Sequence, residues 1–161
     1  MRNLIAIDAQ NLYYSARRFS QGSTIDYRLL KDKIDSEIGP NLSIVYLIRG
    51  EGFDSGPFES VLKSIGYRIS PKRSNLSLRE HEKSIKYDSM GMRIVLDTTV
   101  RYVDTYDRIV LISGDVDYSD LFFHLSEIDK VTEYWTFDKV LHPDLVTYSS
   151  RVQYLGKDVL Q

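Results

Sequence analysis

The sequence predicts an α/β fold of the Rossmann-like kind, three layers deep with a mainly parallel central sheet. Two observations carry that prediction. Short apolar runs of strand length alternate along the chain with stretches of helical period, the pattern of a parallel sheet covered on both faces. Two of those runs, Leu4-Ile5-Ala6-Ile7 and Ile109-Val110-Leu111-Ile112, end in acids, at Asp8 and, after a Ser113-Gly114 turn, at Asp115 and Asp117. Carboxyl ends of parallel strands are where open α/β sheets bind ligands.

The elements follow in order. Residues 3–8 read as the first strand, and Asn11 to Phe19 as a short helix with Leu12, Ser15, Ala16 and Phe19 at helical spacing. Asp26 is placed to cap a helix that runs to Ile38, with Leu29, Leu30, Ile34 and Ile38 on one stripe; Gly39-Pro40-Asn41 stops it. Residues 43–48 form a β-branched second strand. Pro57 suits the first turn of a helix through Ser64, and Gly66 leads into a short strand at Tyr67-Arg68-Ile69. Residues 71–92 are polar and aperiodic and read as a long loop. A helix is predicted over 94–103, a strand over 108–113, a helix from Asp117 to Ile128 and a strand from Val131 to Phe137, with Trp135 in the core. A short helix from His142 to Ser149 and a strand at 152–155 complete the pattern, so residues 1–161 are expected to form one domain.

Composition narrows the chemistry. The chain has 161 residues, no cysteine and a formal net charge of −2. Disulfides, thiolate metal sites and a cysteine nucleophile are excluded. No apolar run approaches the roughly 20 residues of a membrane span; no membrane partner and a cytoplasmic location are the expectation. Residues 71–93 carry Lys72, Arg73, Arg79, Lys83, Lys86 and Arg93 against Glu80, Glu82 and Asp88, a basic segment on an otherwise acidic chain. That division suits a protein that holds a metal in one place and phosphate in another. His81, His124 and His142 lack metal-ligand spacing, and there is no serine-hydrolase elbow or Walker loop.

Clustered carboxylates repel one another unless a hard cation neutralises them. Asp8, Asp97, Asp115 and Asp117 are therefore candidate ligands for Mg²⁺ or Mn²⁺, and metal-dependent phosphodiester hydrolysis is the leading chemistry. The plainer reading is that Asp8 and Asp117 cap the helices that follow them. Tyr13, Tyr14 and Tyr118 flank the acidic motifs and could stack on unpaired bases, although most of the 12 tyrosines are expected to be packing residues. Arg17 and Arg18 stand beside the first motif as candidate phosphate contacts.

The two motifs, Ile7-Asp8-Ala9-Gln10-Asn11-Leu12 and Ser113-Gly114-Asp115-Val116-Asp117-Tyr118, together resemble those of the NYN domain family, a branch of the PIN-like ribonuclease superfamily. The likeness is closest to its LabA-like bacterial group and spans nearly the whole chain, including Ile25-Asp26-Tyr27. The resemblance implies a Rossmann-like sheet, an aspartate cluster binding magnesium or manganese, and RNA cleavage. It assigns metal binding and catalysis to Asp8, Asp97, Asp115 and Asp117, with Asn11 and Ser113 in support. Arg17, Arg18, Lys72, Arg73 and Arg93 are the expected RNA contacts, single-stranded or loop RNA the expected partner, and a homodimer is allowed. Two departures stand out: Arg93 is the nearest basic residue ahead of Asp97, where the family has a Lys-x-x-Asp pattern, and Ser149-Ser150 replaces a common Ala-Asp pair. They motivate the alternative of a non-catalytic RNA-binding or regulatory protein that keeps the fold.

Overall fold

The computed structural model describes residues 1–49, 55–73, 90–114 and 116–161. Its centre is a six-stranded sheet of β1 (Asn3–Asp8), β2 (Leu42–Arg49), β3 (Arg68–Arg73), β4 (Arg108–Ile112), β5 (Val131–Thr136) and β6 (Arg151–Tyr154). The order is β3-β2-β1-β4-β5-β6, and every neighbouring pair is parallel. Strands buried on both faces read as continuous apolar runs because neither set of alternate side chains meets water. β1 and β4 are such strands, with Leu4 to Ile7 and Ile109 to Ile112 all buried.

Strand alternation divides the core in two. Ile5, Ile7, Val45, Leu47, Val110, Ile112 and Trp135 face helices α1 (Ala9–Phe19), α2 (Tyr27–Ile38) and α3 (Gly56–Ile65), through Leu12, Ala16, Leu30, Ile34 and Leu62. Leu4, Ala6, Ile44, Tyr46, Ile109, Leu111 and Tyr134 face α4 (Gly91–Leu96), α5 (Ser119–Glu127) and α6 (Pro143–Tyr148), through Ile94, Leu121, Phe122, Leu125 and Leu145. The three-layer α/β/α expectation holds, and among the described residues no helix is long and apolar enough to cross a membrane.

Local signals account for most boundaries. The Asp26 carboxylate accepts from the backbone N–H of Arg28 at 3.0 Å and of Leu29 at 3.1 Å, starting α2 as expected. The first helix begins two residues earlier than expected, at Ala9, because Asp8 serves as its cap. β3 runs on to Arg73 through Pro71, inside the stretch read as loop. Edge strands tolerate proline, and β3 is an edge. Residues 74–89, the rest of that loop, lie outside the described residues. The helix expected over 94–103 is two conformations in series: α4 ends at Leu96, and Asp97–Arg101 continue as a π-helix, followed by a 3₁₀ turn at Val103–Thr105.

One ion pair ties β2 to α3. Arg49 donates its Nε to Glu59 Oε2 at 2.8 Å, and the Ser55 hydroxyl donates to the same oxygen. The Arg49 guanidinium holds the Glu59 carboxyl down to about 2, from an ordinary 4.5. A depressed folded pKa stabilises the fold above the unfolded value, and that stabilisation is lost as pH falls. A Glu59→Gln protein should melt below wild type at neutral pH. The gap should close between about pH 4.5 and about pH 2. A pH series of thermal melts checks this; a gap that persists at pH 2 would remove the ion pair as its cause.

Candidate functional site

β1 and β4 are neighbours in the middle of the sheet, but their outgoing connections leave toward opposite faces, β1 into α1 and β4 into α5. This is a topological switch point, and it opens a crevice at the carboxyl ends of the two strands. The register pairs Ile7 with Ile112, so Asp8 and Ser113 emerge side by side at that crevice.

Asp8 is fully buried. Its Oδ2 accepts from Asn11 Nδ2 at 2.8 Å, from the Tyr118 hydroxyl at 2.8 Å and from the Ser113 hydroxyl at 3.3 Å. Its Oδ1 has one long contact, with the Asn11 backbone N–H at 3.4 Å. Burial raises the Asp8 pKa, and the hydrogen bonds from Asn11, Tyr118 and Ser113 oppose the rise only in part. These bonded neighbours are all neutral. Burial, and then the Asp8 charge, push the Tyr118 hydroxyl well above its ordinary value, so it remains a donor.

Gly114 sets how closely the two strand ends approach. A Cβ built on it would lie 2.2 Å from Ser15 Cβ and 3.0 Å from the Asn11 carbonyl oxygen, both on α1. Only glycine lets the turn after β4 press against the helix that carries Asn11. The Ser-Gly-Asp order is therefore a packing requirement as well as a chemical motif.

Asp97 lies where α4 gives way to the π-helix, a geometry found frequently at functional sites. It is 3% exposed. Its Oδ2 accepts from the Tyr46 hydroxyl at 2.8 Å, and its Oδ1 meets Arg101 Nη1 at 3.3 Å. Tyr46 is the register partner of Asp8 across β1 and β2, which puts Asp8 and Tyr46 on one face of the sheet and brings Asp97 to that face. Asp117 stands at the rim, exposed, and its Oδ1 accepts from the Ser119 backbone N–H at 2.8 Å and from the Ser119 hydroxyl. Those bonds hold its pKa below the ordinary value. The capping reading of Asp117 is thus partly met: it tethers the first turn of α5 from one residue before the cap position. Asp115 lies outside the described residues.

The candidate basic residues are dispersed. Arg17 and Arg18 are exposed at the end of α1, where Arg17 donates to the Tyr13 hydroxyl at 3.2 Å and Arg18 pairs with Asp138 at 3.3 Å. Lys72 is on β3; the side chains of Arg73 and of Arg79, Lys83 and Lys86 fall outside the described residues. Arg93 donates to the Pro71 carbonyl, and among the described residues the cation paired with Asp97 is Arg101, one turn further on. Two supporting residues, Tyr46 and Arg101, escaped the sequence reading, and a third, Tyr118, was read in another role. Tyr46 and Tyr118 anchor the two buried aspartates, and Arg101 pairs with one of them. Tyr118 is 3% exposed, which corrects its reading as a stacking residue. A tyrosine inside an otherwise aliphatic strand was a usable signal for Tyr46, since a buried phenol needs a partner for its hydroxyl.

Asp8, Asp97 and Asp117 offer oxygen donors, the type that Mg²⁺ and Mn²⁺ prefer. A buried carboxylate with only neutral partners is where a cation would offset the cost of burial. The residues fit such an ion in donor type and charge. Among the described residues, no three His, Cys, Asp or Glu are grouped to hold a metal, so a full ligand set would call on Asp115.

Against known proteins, the sequence matches the NYN domain over residues 2–153. The chain belongs to the NYN domain family. NYN domains are PIN-like and nuclease-like in kind, which agrees with acids at the carboxyl ends of a parallel sheet. A protein of unknown function from Vibrio parahaemolyticus RIMD 2210633 has a similar crystal structure, with a TM-score of 0.78 at 20% identity, covering 99% of this chain and 96% of that one. At that identity the likeness speaks for the NYN fold alone. No curated protein matches the sequence.

Proposed function

We propose that this NYN protein is a Mg²⁺- or Mn²⁺-dependent ribonuclease that hydrolyses RNA phosphodiester bonds at Asp8, Asp97, Asp115 and Asp117. The observation that carries the reading is Asp8: a fully buried carboxylate, bonded only by neutral donors, at the switch point of the sheet. A divalent cation bound by these acids supplies Lewis-acid stabilisation of a phosphoryl oxygen and makes a coordinated water more acidic.

The protein's own groups do the positioning. Asn11, Ser113 and Tyr118 converge on Oδ2 of Asp8 and leave Oδ1 with its single long contact, so one oxygen is held and the other is available as a ligand. Tyr46 fixes Asp97 in the same way from the neighbouring strand. Arg101, with a side chain 66% exposed, can screen the charge of Asp97 and meet a phosphate. Arg17, Arg18, Lys72, Arg73 and Arg93 are the further phosphate contacts of this reading, Arg93 while also donating to the Pro71 carbonyl.

A cation that binds only the folded chain must raise its melting temperature. At a hundredfold excess over its dissociation constant the gain is about 2.7 kcal/mol, or roughly 5–10 °C for a chain of this size. Wild type in millimolar Mn²⁺ should show this rise and cleave a mixed RNA pool, and EDTA should abolish both. An Asp115→Asn protein should lose most of each. A second reading, RNA binding without cleavage, is motivated by the two departures in sequence, Ser149-Ser150 and the missing Lys-x-x-Asp pattern ahead of Asp97. RNA binding with no cleavage in Mn²⁺ or Mg²⁺ would establish it in place of the nuclease.

A further inference from the structure

Beyond the end of β1 lies an open pocket of about 420 Å³ bordered by the N-terminal halves of α1, α2 and α3, by Thr24 and Ile25 and by the end of β2. It is within the range of about 300–1,000 Å³ typical of small-ligand pockets. Its lining is mostly apolar and rich in rings: Tyr13, Tyr14, Tyr27 and Phe58, with Leu47 at the base. The Tyr27 and Phe58 rings meet edge to face at 5.7 Å, and Phe58 is 42% exposed. Gln10, two residues after Asp8, also lines it, and its Oε1 is buried with no hydrogen-bond partner among the described residues. A buried acceptor without a donor is a standing cost in the empty protein.

We infer that this cavity is a nucleobase subsite, which takes one unstacked base of the RNA whose phosphate lies at Asp8 and offers the Gln10 carbonyl oxygen to an N–H on the base edge. The inference rests on the RNA reading of the neighbouring acids. Three features select a base over a lipid or an aliphatic side chain. The rings present flat faces and edges, which suit a planar π-system. The orphan acceptor asks for a donor that an alkyl group lacks, whereas every RNA base carries an amine or ring N–H. The cavity also lies beside the end of β1: Ala9 and Gln10, the two residues that follow Asp8 in the chain, line it. On this reading the phosphate of the seated base is directed to the crevice, which is how one subsite would set the register of cleavage.

The test is fluorescence anisotropy with labelled single-stranded RNA hexamers of A, C or U, in EDTA so that no strand is cut. An abasic residue is then walked through the tightest-binding hexamer. In wild type, one abasic position should weaken binding about tenfold or more, the size of one lost stack. Phe58→Ala should weaken the intact hexamer by a similar factor and should no longer sense the abasic position. Gln10→Met, which removes the acceptor, should weaken binding of the intact hexamer and shrink the abasic penalty. Phe58 lies at the surface, so the variant is expected to fold, and its melting temperature is measured alongside. If Phe58→Ala binds like wild type, or the abasic penalty survives in it, the subsite is refuted and the RNA reading stands. Wild type that binds no hexamer overturns both.

Discussion

An Asp8→Asn protein is expected to melt no lower than wild type at neutral pH while losing RNA cleavage by about 10²- to 10³-fold, the scale set by removing one electrostatic contact to the reacting group. The two halves of this result come from the same burial. Burial raises the Asp8 pKa above its ordinary value. A carboxyl with a raised folded pKa contributes its full stability below the unfolded value, and that contribution is lost as pH rises through the folded value. At neutral pH the ionised side chain is therefore a cost to the fold, and the neutral amide removes it. Asparagine also keeps one oxygen for the donors Asn11 Nδ2, Ser113 and Tyr118. The melting-temperature advantage of the variant should shrink as pH falls toward 4. Asp8→Ala behaves differently: it leaves the buried Ser113 and Tyr118 hydroxyls and the half-buried Asn11 amide without this acceptor, at about 1–3 kcal/mol for each buried group left unsatisfied, and should melt well below wild type. Functional acids often carry such a stability cost. Thermal melts across pH with cleavage rates on the same samples decide it. If Asp8→Asn cleaves like wild type, Asp8 is structural and the ribonuclease mechanism is wrong.

Gly114→Ala is expected to lower stability by about 1–3 kcal/mol, the usual cost of overpacking, and to lower cleavage through the displacement of Asn11 and the turn. The new Cβ would sit 2.2 Å from Ser15 Cβ and 2.6 Å from Ser15 Oγ, so α1 or the turn after β4 must shift. Rescue has a specific form. Ser15→Ala cannot relieve the clash, because the Cβ of residue 15 is itself the nearest atom. Ser15→Gly removes that atom and should recover part of the loss, minus about 1 kcal/mol for glycine inside a helix. Ser15→Ala alone should be close to neutral or mildly stabilising, since Ser15 Oγ is buried without a partner among the described residues. Urea titration of the two single variants and the double variant measures the coupling. Additive effects for Ser15→Gly and Gly114→Ala would show that the helix–turn contact is not what requires glycine.

Much of this architecture is determined by local sequence. Strands buried on both faces read as near-continuous apolar runs, and Leu4–Ile7 of β1, Ile44–Leu47 of β2 and Ile109–Ile112 of β4 do. Caps and stops act over three or four residues, so Asp26, Pro57 and Gly39-Pro40 mark helix ends without help from the rest of the chain. The pairing of Asp8 with Asn11 is equally local, three residues apart across the first turn of α1. The likeness of two short motifs to the NYN domain was enough to anticipate the family, because the acids at strand ends and the glycine between them serve packing and chemistry together.

What the local pattern does not contain is the meeting of distant residues. Tyr46 reaches Asp97 across 51 positions, and Tyr118 reaches Asp8 across 110. Neither pairing has a period or spacing to betray it, since each depends on strand order and register. The change to a π-helix at Asp97 follows an ordinary helical stretch, and the pocket beyond the end of β1 is bordered by three helices that come together only in the folded sheet. The sequence by itself determined the strands, most helix ends and the family, because those follow from burial, short-range hydrogen bonding and two local motifs. The tertiary structure alone decided which tyrosines hold the acids, that Arg101 rather than Arg93 accompanies Asp97, and where a pocket opens, because these are set by how the β3-β2-β1-β4-β5-β6 order brings separate segments together.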